Sequence, residues 1–258
     1  MSHNFTQDSI FRGAIKVFQP RRGEGYRYTV DSVLLGYFAS GRKVKAAVDI
    51  GAGCGIVGFI LLHSGAARSA VFVERDRSLA AACRLGIEAN GLGGRAEVVR
   101  ADVNQGGWLK GLKNAGLIVS NPPYRTRGSG IVPSSESVAA AKHEIAMTLD
   151  DVVKCSARAL GSRGRLCMIA APERLDDVFR SAGSRRMSVL RMRFVHAKPG
   201  REAGSVLLEL KPVSGKATKM RVLEPLIINH EDGSYTREMA DLLDGKIDRG
   251  LQQHQSLD

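Results

Sequence analysis

Short apolar runs that stop at glycine or a polar residue alternate along most of the chain with stretches whose apolar positions recur every three or four residues. This alternation predicts an α/β architecture, a mainly parallel sheet covered by helices on both faces. Ala46 to Ile50 reads as the first strand, stopped by Gly51-Ala52-Gly53-Cys54-Gly55, and Ile56 to Ser64 as the helix after it. Ser69 to Val73 is the second strand and Ser78 to Asn90 the second helix, ended by Gly91. Ala96 to Ala101 and Leu117 to Ser120 are the third and fourth strands. A polar loop, Arg125 to Ser137, precedes a helix from about His143 to Leu160, and Arg165 to Ala170 is the fifth strand. Pro172 to Ala182 suits a helix with proline in its first turn. Val189 to Ala197 and Ser205 to Lys211 complete a seven-stranded sheet as an antiparallel hairpin around Lys198 to Gly204.

Ahead of the sheet, Thr29 to Ala39 sets Val30, Val33, Leu34, Tyr37 and Phe38 at helical spacing, with Thr29 or Asp31 able to cap its start. After the hairpin, Val222 to Ile228 is apolar, Ser234 to Leu243 is helix-like, and Gly245 to Asp258 is polar enough to fray. These stretches divide the chain into an accessory segment (1–44), a sheet domain (45–213) and a C-terminal extension (214–258).

With 43% apolar and 25% charged residues among 258, the chain can bury a sizeable core, which excludes wholesale disorder. Its longest apolar stretches, such as Ile56 to Leu62, fall far short of the roughly 20 residues that span a bilayer. The first residues lack the basic and apolar regions of a signal peptide. Four cysteines without C-x-x-C spacing argue against a metal site and a disulfide framework, so a reduced, cytoplasmic setting is expected.

Charge adds a partner. The net charge of +12 is uneven: residues 180–221 hold eleven basic and two acidic residues, and residues 1–29 hold five and two. Concentrated positive charge of this kind suits a polyanion such as RNA. Arg191, Arg193 and Lys198 of the hairpin are expected to meet it, with Arg125 and Arg127 placed either to meet phosphates or to be solvated.

Gly51-Ala52-Gly53-Cys54-Gly55-Ile56 forms the first strand-to-helix turn, where glycines let backbone pass close to a ligand and a helix start offers free N–H groups. Gly53 to Gly58 also satisfies the G-x-G-x-x-G of dinucleotide sites, with Glu74 about 20 residues on. A pyrophosphate there would be repelled by Asp49. S-adenosylmethionine, which carries an ammonium and a sulfonium, would be attracted. Glu74, at the second strand's end, is then placed for the ribose hydroxyls with Arg75 beside it. Asp102, at the third strand's end, is placed for the adenine amino group, with Val103 against the ring. Such crevices at the carboxyl ends of strands are where open α/β sheets bind ligands.

Asn121-Pro122-Pro123-Tyr124 follows the fourth strand directly. Its two prolines hold the backbone extended and lack N–H groups, which leaves the Pro122 carbonyl free to accept. The Asn121 side-chain oxygen and that carbonyl can take both hydrogens of a planar NH₂ group and aim its lone pair at the sulfonium methyl. The barrier then falls by orientation and electrostatics. Tyr124, with Pro123, would face the flat target; base–aromatic stacking contributes roughly 1–3 kcal/mol. Such a base would be flipped out of its helix or loop to enter. His143 can be read as a general base or as a structural side chain, and Trp108 as packing.

These motifs resemble those of class I S-adenosylmethionine-dependent methyltransferases, and within them the bacterial tRNA1(Val) adenine-N6-methyltransferase family. The resemblance runs over Gly25 to Leu35, Asp49 to Val57, Asn121 to Tyr124, Lys142 to Ile145, Thr148 to Val152, Pro172 to Leu175 and Arg193 to Pro199. It implies a Rossmann-like fold, S-adenosylmethionine at the glycine loop, and methylation of the N6 amine of an adenine beside a tRNA anticodon. It further implies that the Tyr28, Thr29 to Asp31 segment closes over the methionine end of the cofactor. Ala52 and Cys54 depart from the Thr or Ser and Asn or Ser that relatives often carry. A glutamine N5-methyltransferase acting on release factors uses the same Asn-Pro-Pro-Tyr, but usually carries a helical domain ahead of the sheet. A dinucleotide oxidoreductase leaves Asp49 and Asn121 without a use, and a non-catalytic RNA-binding module has no need of the acid-lined crevice.

Overall fold

The computed structural model describes residues 5–105, 114–122, 147–213, 215 and 219–246. Strands β1 (Phe5–Ile10) and β2 (Ile15–Pro20) form an antiparallel hairpin with Ile10 opposite Ile15. Then come α1 (Val30–Ala39), β3 (Val44–Ile50), α2 (Ile56–His63), β4 (Ala67–Glu74), α3 (Arg77–Ala89), β5 (Ala96–Arg100) and β6 (Ala115–Ser120). After residue 146 the chain continues through α4 (Leu149–Ala159), β7 (Leu160–Ala170), a 3₁₀ turn at Pro172–Arg174, α5 (Leu175–Ser184), β8 (Met187–His196) and β9 (Ala203–Pro212). It closes with β10 (Arg221–Val222), β11 (Leu226–Ile227) and α6 (Arg237–Leu243).

The large sheet runs β5-β4-β3-β6-β7-β9-β8, parallel from β5 to β7 and antiparallel at β9. These are the seven strands the periodicity predicts. Two more, β10 and β11, pair with β8 in parallel and make the sheet nine-stranded. At two residues each they are too short to leave a period-two signature.

Side-chain alternation sends Ala47, Leu117, Val119, Cys167 and Ile169 to the face covered by α1, α2 and α3. Val48, Ile50, Ile118, Leu166 and Met168 face α4 and α5. With both faces buried, the central strands read as continuous apolar runs. Phe59 of α2 meets Phe72 of β4 with ring centroids 5.2 Å apart; burying each such ring contributes roughly 1.5–3 kcal/mol. Helix starts follow their capping chemistry. Asp76 accepts from Leu79 N at α3, and Thr148 and Asp151 form a reciprocal capping box at α4. Thr29 holds the N-cap position of α1 without a side-chain capping bond.

The β1–β2 hairpin is an addition to the expected elements. Its signal is the alternation of buried Ile15 and Val17 with exposed Lys16. It is pinned to α3 by Asn90, whose amide donates to Lys16 O at 2.7 Å and accepts from Lys16 N at 2.9 Å. Ile15, Val17, Leu226, Met239 and Leu242 belong to the same buried cluster as α2 and the face of β3. The segments before residue 45 and after 213 therefore contribute to one core with the sheet. Trp108, His143, the loop 125–137 and the tail beyond 246 lie outside the described residues. Among the described residues, no helix is long and apolar enough to cross a membrane.

Candidate active site

The carboxyl ends of β3, β4, β5 and β6 open into a cavity of about 470 Å³. That lies within the roughly 300–1,000 Å³ usual for small-molecule sites. Gly51 and Gly53 come from the turn after β3, Glu74 and Arg75 from the end of β4, Asp102 and Val103 from the end of β5, and Asn121 from the end of β6. These seven positions, scattered over about 70 residues of sequence, line one cavity.

The glycine loop is shaped for close approach. Gly51 and Gly53 adopt φ of 68° and 57°, the left-handed region that side chains rarely enter. A methyl at Gly51 would sit 2.6 Å from Met147 Cε, another lining residue, and one at Gly53 would reach the Tyr26 ring at 3.7 Å. Glu74 braces this loop: Oε2 accepts from Gly53 N at 2.8 Å and Oε1 from Asp76 N at 2.8 Å. Burial pushes the Glu74 carboxyl upward, opposed by those backbone N–H groups. With the Arg75 N–H also acting on it, the carboxylate retains at least one of its roughly four lone pairs for a ligand. Asp102 Oδ1 takes the N–H of Asn104 at 2.9 Å, and Oδ2 lies 3.7 Å from Arg75 Nη1.

Asn121 sits at the cavity wall with its Nδ2 donating to Ser32 Oγ of α1 at 3.0 Å. The preceding Ser120 hydroxyl donates to Ile50 O at 2.8 Å, which ties the end of β6 to the end of β3. Four carboxylates (Glu24, Glu74, Asp76 and Asp102) and one guanidinium (Arg75) line the cavity. This balance favours a cationic ligand over a pyrophosphate.

Some expected ligand contacts fall elsewhere. Asp49 is 2% exposed and turned toward α2, where Oδ2 accepts from Gly58 N at 3.0 Å, so it lies beneath the loop and not on the cavity wall. Its place follows from alternation: Val48 and Ile50 face α4, so Asp49 faces α2. Ala52 and Ile56 are buried in the core, and Gly55 faces Cys83 and Phe59. Tyr28 packs half-buried against the core and Thr29 occupies the N-cap position of α1; neither lines the cavity. The N-terminal segment reaches it slightly earlier, through Pro20, Glu24, Gly25 and Tyr26. The signal for Tyr26 was in the sequence, an aromatic after glycine ahead of α1. Pro122 is buried, whereas Pro123, Tyr124, Arg125 and Arg127 lie outside the described residues.

A family model, the methyltransferase small domain, matches residues 31–180, more than half of the chain. The chain belongs to the methyltransferase small domain family. Its match spans α1 to α5 and so includes the glycine loop, Glu74, Asp102 and Asn121. The chain is 27% identical over 222 residues to a protein of Porphyromonas gingivalis named tRNA1(Val) (adenine(37)-N6)-methyltransferase, covering 84% of this chain and 86% of that one. A protein of the same name from Erwinia tasmaniensis is 28% identical over 216 residues, covering 80% and 82%. Among solved structures, a predicted O-methyltransferase from Agrobacterium tumefaciens superposes with a TM-score of 0.66 at 23% identity, over 84% of this chain and 96% of that one. A 16S rRNA N2 G1207 methyltransferase of T. thermophilus, solved with AdoMet and guanosine, gives 0.55 at 21% identity, over 81% and 50%. The fold is accordingly that of a class I, Rossmann-like methyltransferase.

In this methyltransferase the basic hairpin is not the open cationic surface its sequence suggested. Arg191 and Arg193 are 7% and 6% exposed. Arg191 Nε donates to Glu209 at 2.9 Å, its Nη2 to Phe38 O at 3.2 Å, and its guanidinium stacks 4.4 Å over the Phe38 ring. Arg193 grips Glu238 with both Nη atoms, at 2.6 and 2.8 Å, and donates Nε to Glu224 O. Their charge is spent on joining β8 to α1 and to the C-terminal segment. Lys198, at the hairpin turn, donates Nζ to Glu231 O at 2.9 Å. The exposed Arg21 and Arg22 stand in the chain between Pro20 and Glu24, both of which line the cavity.

Proposed function

We propose that this methyltransferase uses S-adenosylmethionine to methylate the exocyclic N6 amine of an adenine in RNA, most specifically in the anticodon loop of a tRNA. The observation that carries the reading is the juxtaposition in one cavity of the acid-lined glycine crevice and the Asn121 carboxamide. Its amide nitrogen donates to Ser32 Oγ, which supports a role for the carbonyl oxygen as the acceptor for the substrate amine. The relatives' names and the net charge of +12 support an RNA substrate.

The lining fits the cofactor. When bound, S-adenosylmethionine supplies an electrophilic methyl group on a positively charged sulfur. Glu74 accepts the ribose hydroxyls through the lone pairs its backbone partners leave free, Asp102 accepts from the adenine amino group, and Val103 packs on that ring. The Asn121 oxygen and the Pro122 carbonyl accept the two hydrogens of the target amine, pull its lone pair out of conjugation and aim it at the methyl. The surplus proton passes to water, so no strong base is required of the protein. Tyr124 stacks on the target base, and Arg21 and Arg22 hold phosphates at the cavity mouth.

Nucleoside mass spectrometry of tRNA incubated with the protein and labelled S-adenosylmethionine tests this. Labelled N6-methyladenosine is the expected product; label in a protein glutamine, or in no nucleoside, would refute the assignment.

A further inference from the structure

A carboxamide has two ends of nearly the same shape and opposite chemistry, and only its neighbours decide which end faces a site. For Asn121 that choice is decisive. An oxygen toward the cavity accepts the hydrogens of an incoming amine, whereas an NH₂ toward the cavity would set hydrogens against hydrogens. The neighbour at the rear end is Ser32, in the first turn of α1, 3% exposed and 3.0 Å from Asn121 Nδ2. A hydroxyl can donate or accept, so its own hydrogen must be directed elsewhere before it can hold an NH₂ group. In the structure Asn121 Nδ2 is the donor and Ser32 Oγ the acceptor.

We infer that Ser32 is the positioning residue that fixes the Asn121 carboxamide with its oxygen toward the substrate amine. The inference rests on the reading of Asn121 given above. Ser32 itself is not part of the cavity wall, so it acts through Asn121 and not on a ligand. It is held rigidly: Ser32 N donates to Thr29 O at 3.1 Å, and the next residues along α1, Leu34 and Leu35, are fully buried. Asn121 is thus oriented from a helix outside the strand that carries it.

The test compares Ser32→Ala and Ser32→Cys with the full-length wild-type protein, by single-turnover methyl transfer and by calorimetry with S-adenosylmethionine. Cysteine keeps the volume and replaces the oxygen with a much weaker acceptor, so a purely structural role would survive in it. Both variants are expected to lose roughly ten- to hundredfold in kcat. Cofactor Kd and KM for the RNA should stay within about twofold, as the carboxamide loses its orientation and the binding surfaces do not change. Full kcat in Ser32→Cys would overturn the inference, as would a fall in cofactor affinity that parallels the loss of rate. Should Ser32→Ala fail to fold, Ser32→Cys alone decides. The effect is scored as a ratio to wild type on whichever nucleoside the wild type methylates, so a different product would refute the adenine assignment while leaving Ser32 open to judgement.

Discussion

Replacing Asp49 by asparagine is expected to stabilise the unliganded protein above neutral pH and to do progressively less as the pH falls. Asp49 is fully enclosed between β3 and α2, with Gly58 N as its hydrogen-bond partner. Burial pushes its carboxyl from the ordinary 3.8 up to about 7; the Gly58 N–H opposes the rise and the nearby charge of Glu74 adds to it. Below pH 3.8 the group is neutral in the folded and unfolded chain alike and its burial carries no charge penalty. Between 3.8 and about 7 the unfolded chain has released a proton that the folded one still holds, so stability falls as the pH rises. Above about 7 the whole penalty is present, on the order of 4 kcal/mol. Asparagine keeps an oxygen for the Gly58 N–H and has no charge to bury. Urea denaturation of both proteins at pH 5, 6, 7 and 8 should therefore show the stability difference moving by about 2–3 kcal/mol in favour of the variant between pH 5 and 8. A difference that stays constant with pH, or moves the other way, would refute the account of Asp49 as a buried acid with a raised pKa.

Asn121→Ala should lower kcat by at least about a hundredfold, as expected when a group that orients and polarises the reacting atom is lost. S-adenosylmethionine affinity, read by calorimetry, should stay within a few-fold; full turnover would remove Asn121 from the mechanism. Arg191→Ala removes the closer of the two buried guanidiniums that face Glu209, leaving Arg165 at 4.0 Å, and should cost about 3 kcal/mol in denaturant unfolding. The salt dependence of RNA binding should not change in an Arg191→Gln protein, which removes the charge, and a flattened slope would restore the hairpin as an RNA surface. Joint replacement of Arg21 and Arg22 by alanine should weaken RNA binding and reduce the slope of log affinity against log salt by about one per lost phosphate contact. An unchanged slope would place the RNA elsewhere.

The central α/β alternation was legible because strands buried on both faces and amphipathic helices such as α4 and α5 leave distinct periods. The crevice was legible for the same reason: once Glu74, Asp102 and Asn121 stand at the ends of successive strands, topology alone brings them together. What charge counting could not see is direction. Arg191 and Arg193 alternate with Met192 and Phe194, and period two places both arginines on the face that meets α1. The matching carboxylates, Glu209 and Glu238, are 18 and 45 residues away, so only the folded chain reveals that the pairs are internal. Asp49 is the mirror case. Its position at a strand end suggested a ligand contact, and the parity of the strand turned it to the opposite side of the loop.

The contact between the first hairpin and the last helix bears on the order in which the site can be completed during synthesis. Arg12, in the β1–β2 turn, is paired to Asp244 just after α6, and Phe11 lies against Gly245. The segment that carries Tyr26 over the glycine loop hangs from β2. Synthesis delivers the N-terminal part of a chain first, and a domain folds as a unit once its parts have emerged. Here the hairpin receives this fastening from a segment 232 residues further along the chain, so a nascent chain that already has its whole parallel sheet still lacks one anchor of the cavity's outer lip. A protein truncated before residue 237 would carry every lining residue of the cavity and still hold that lip less firmly.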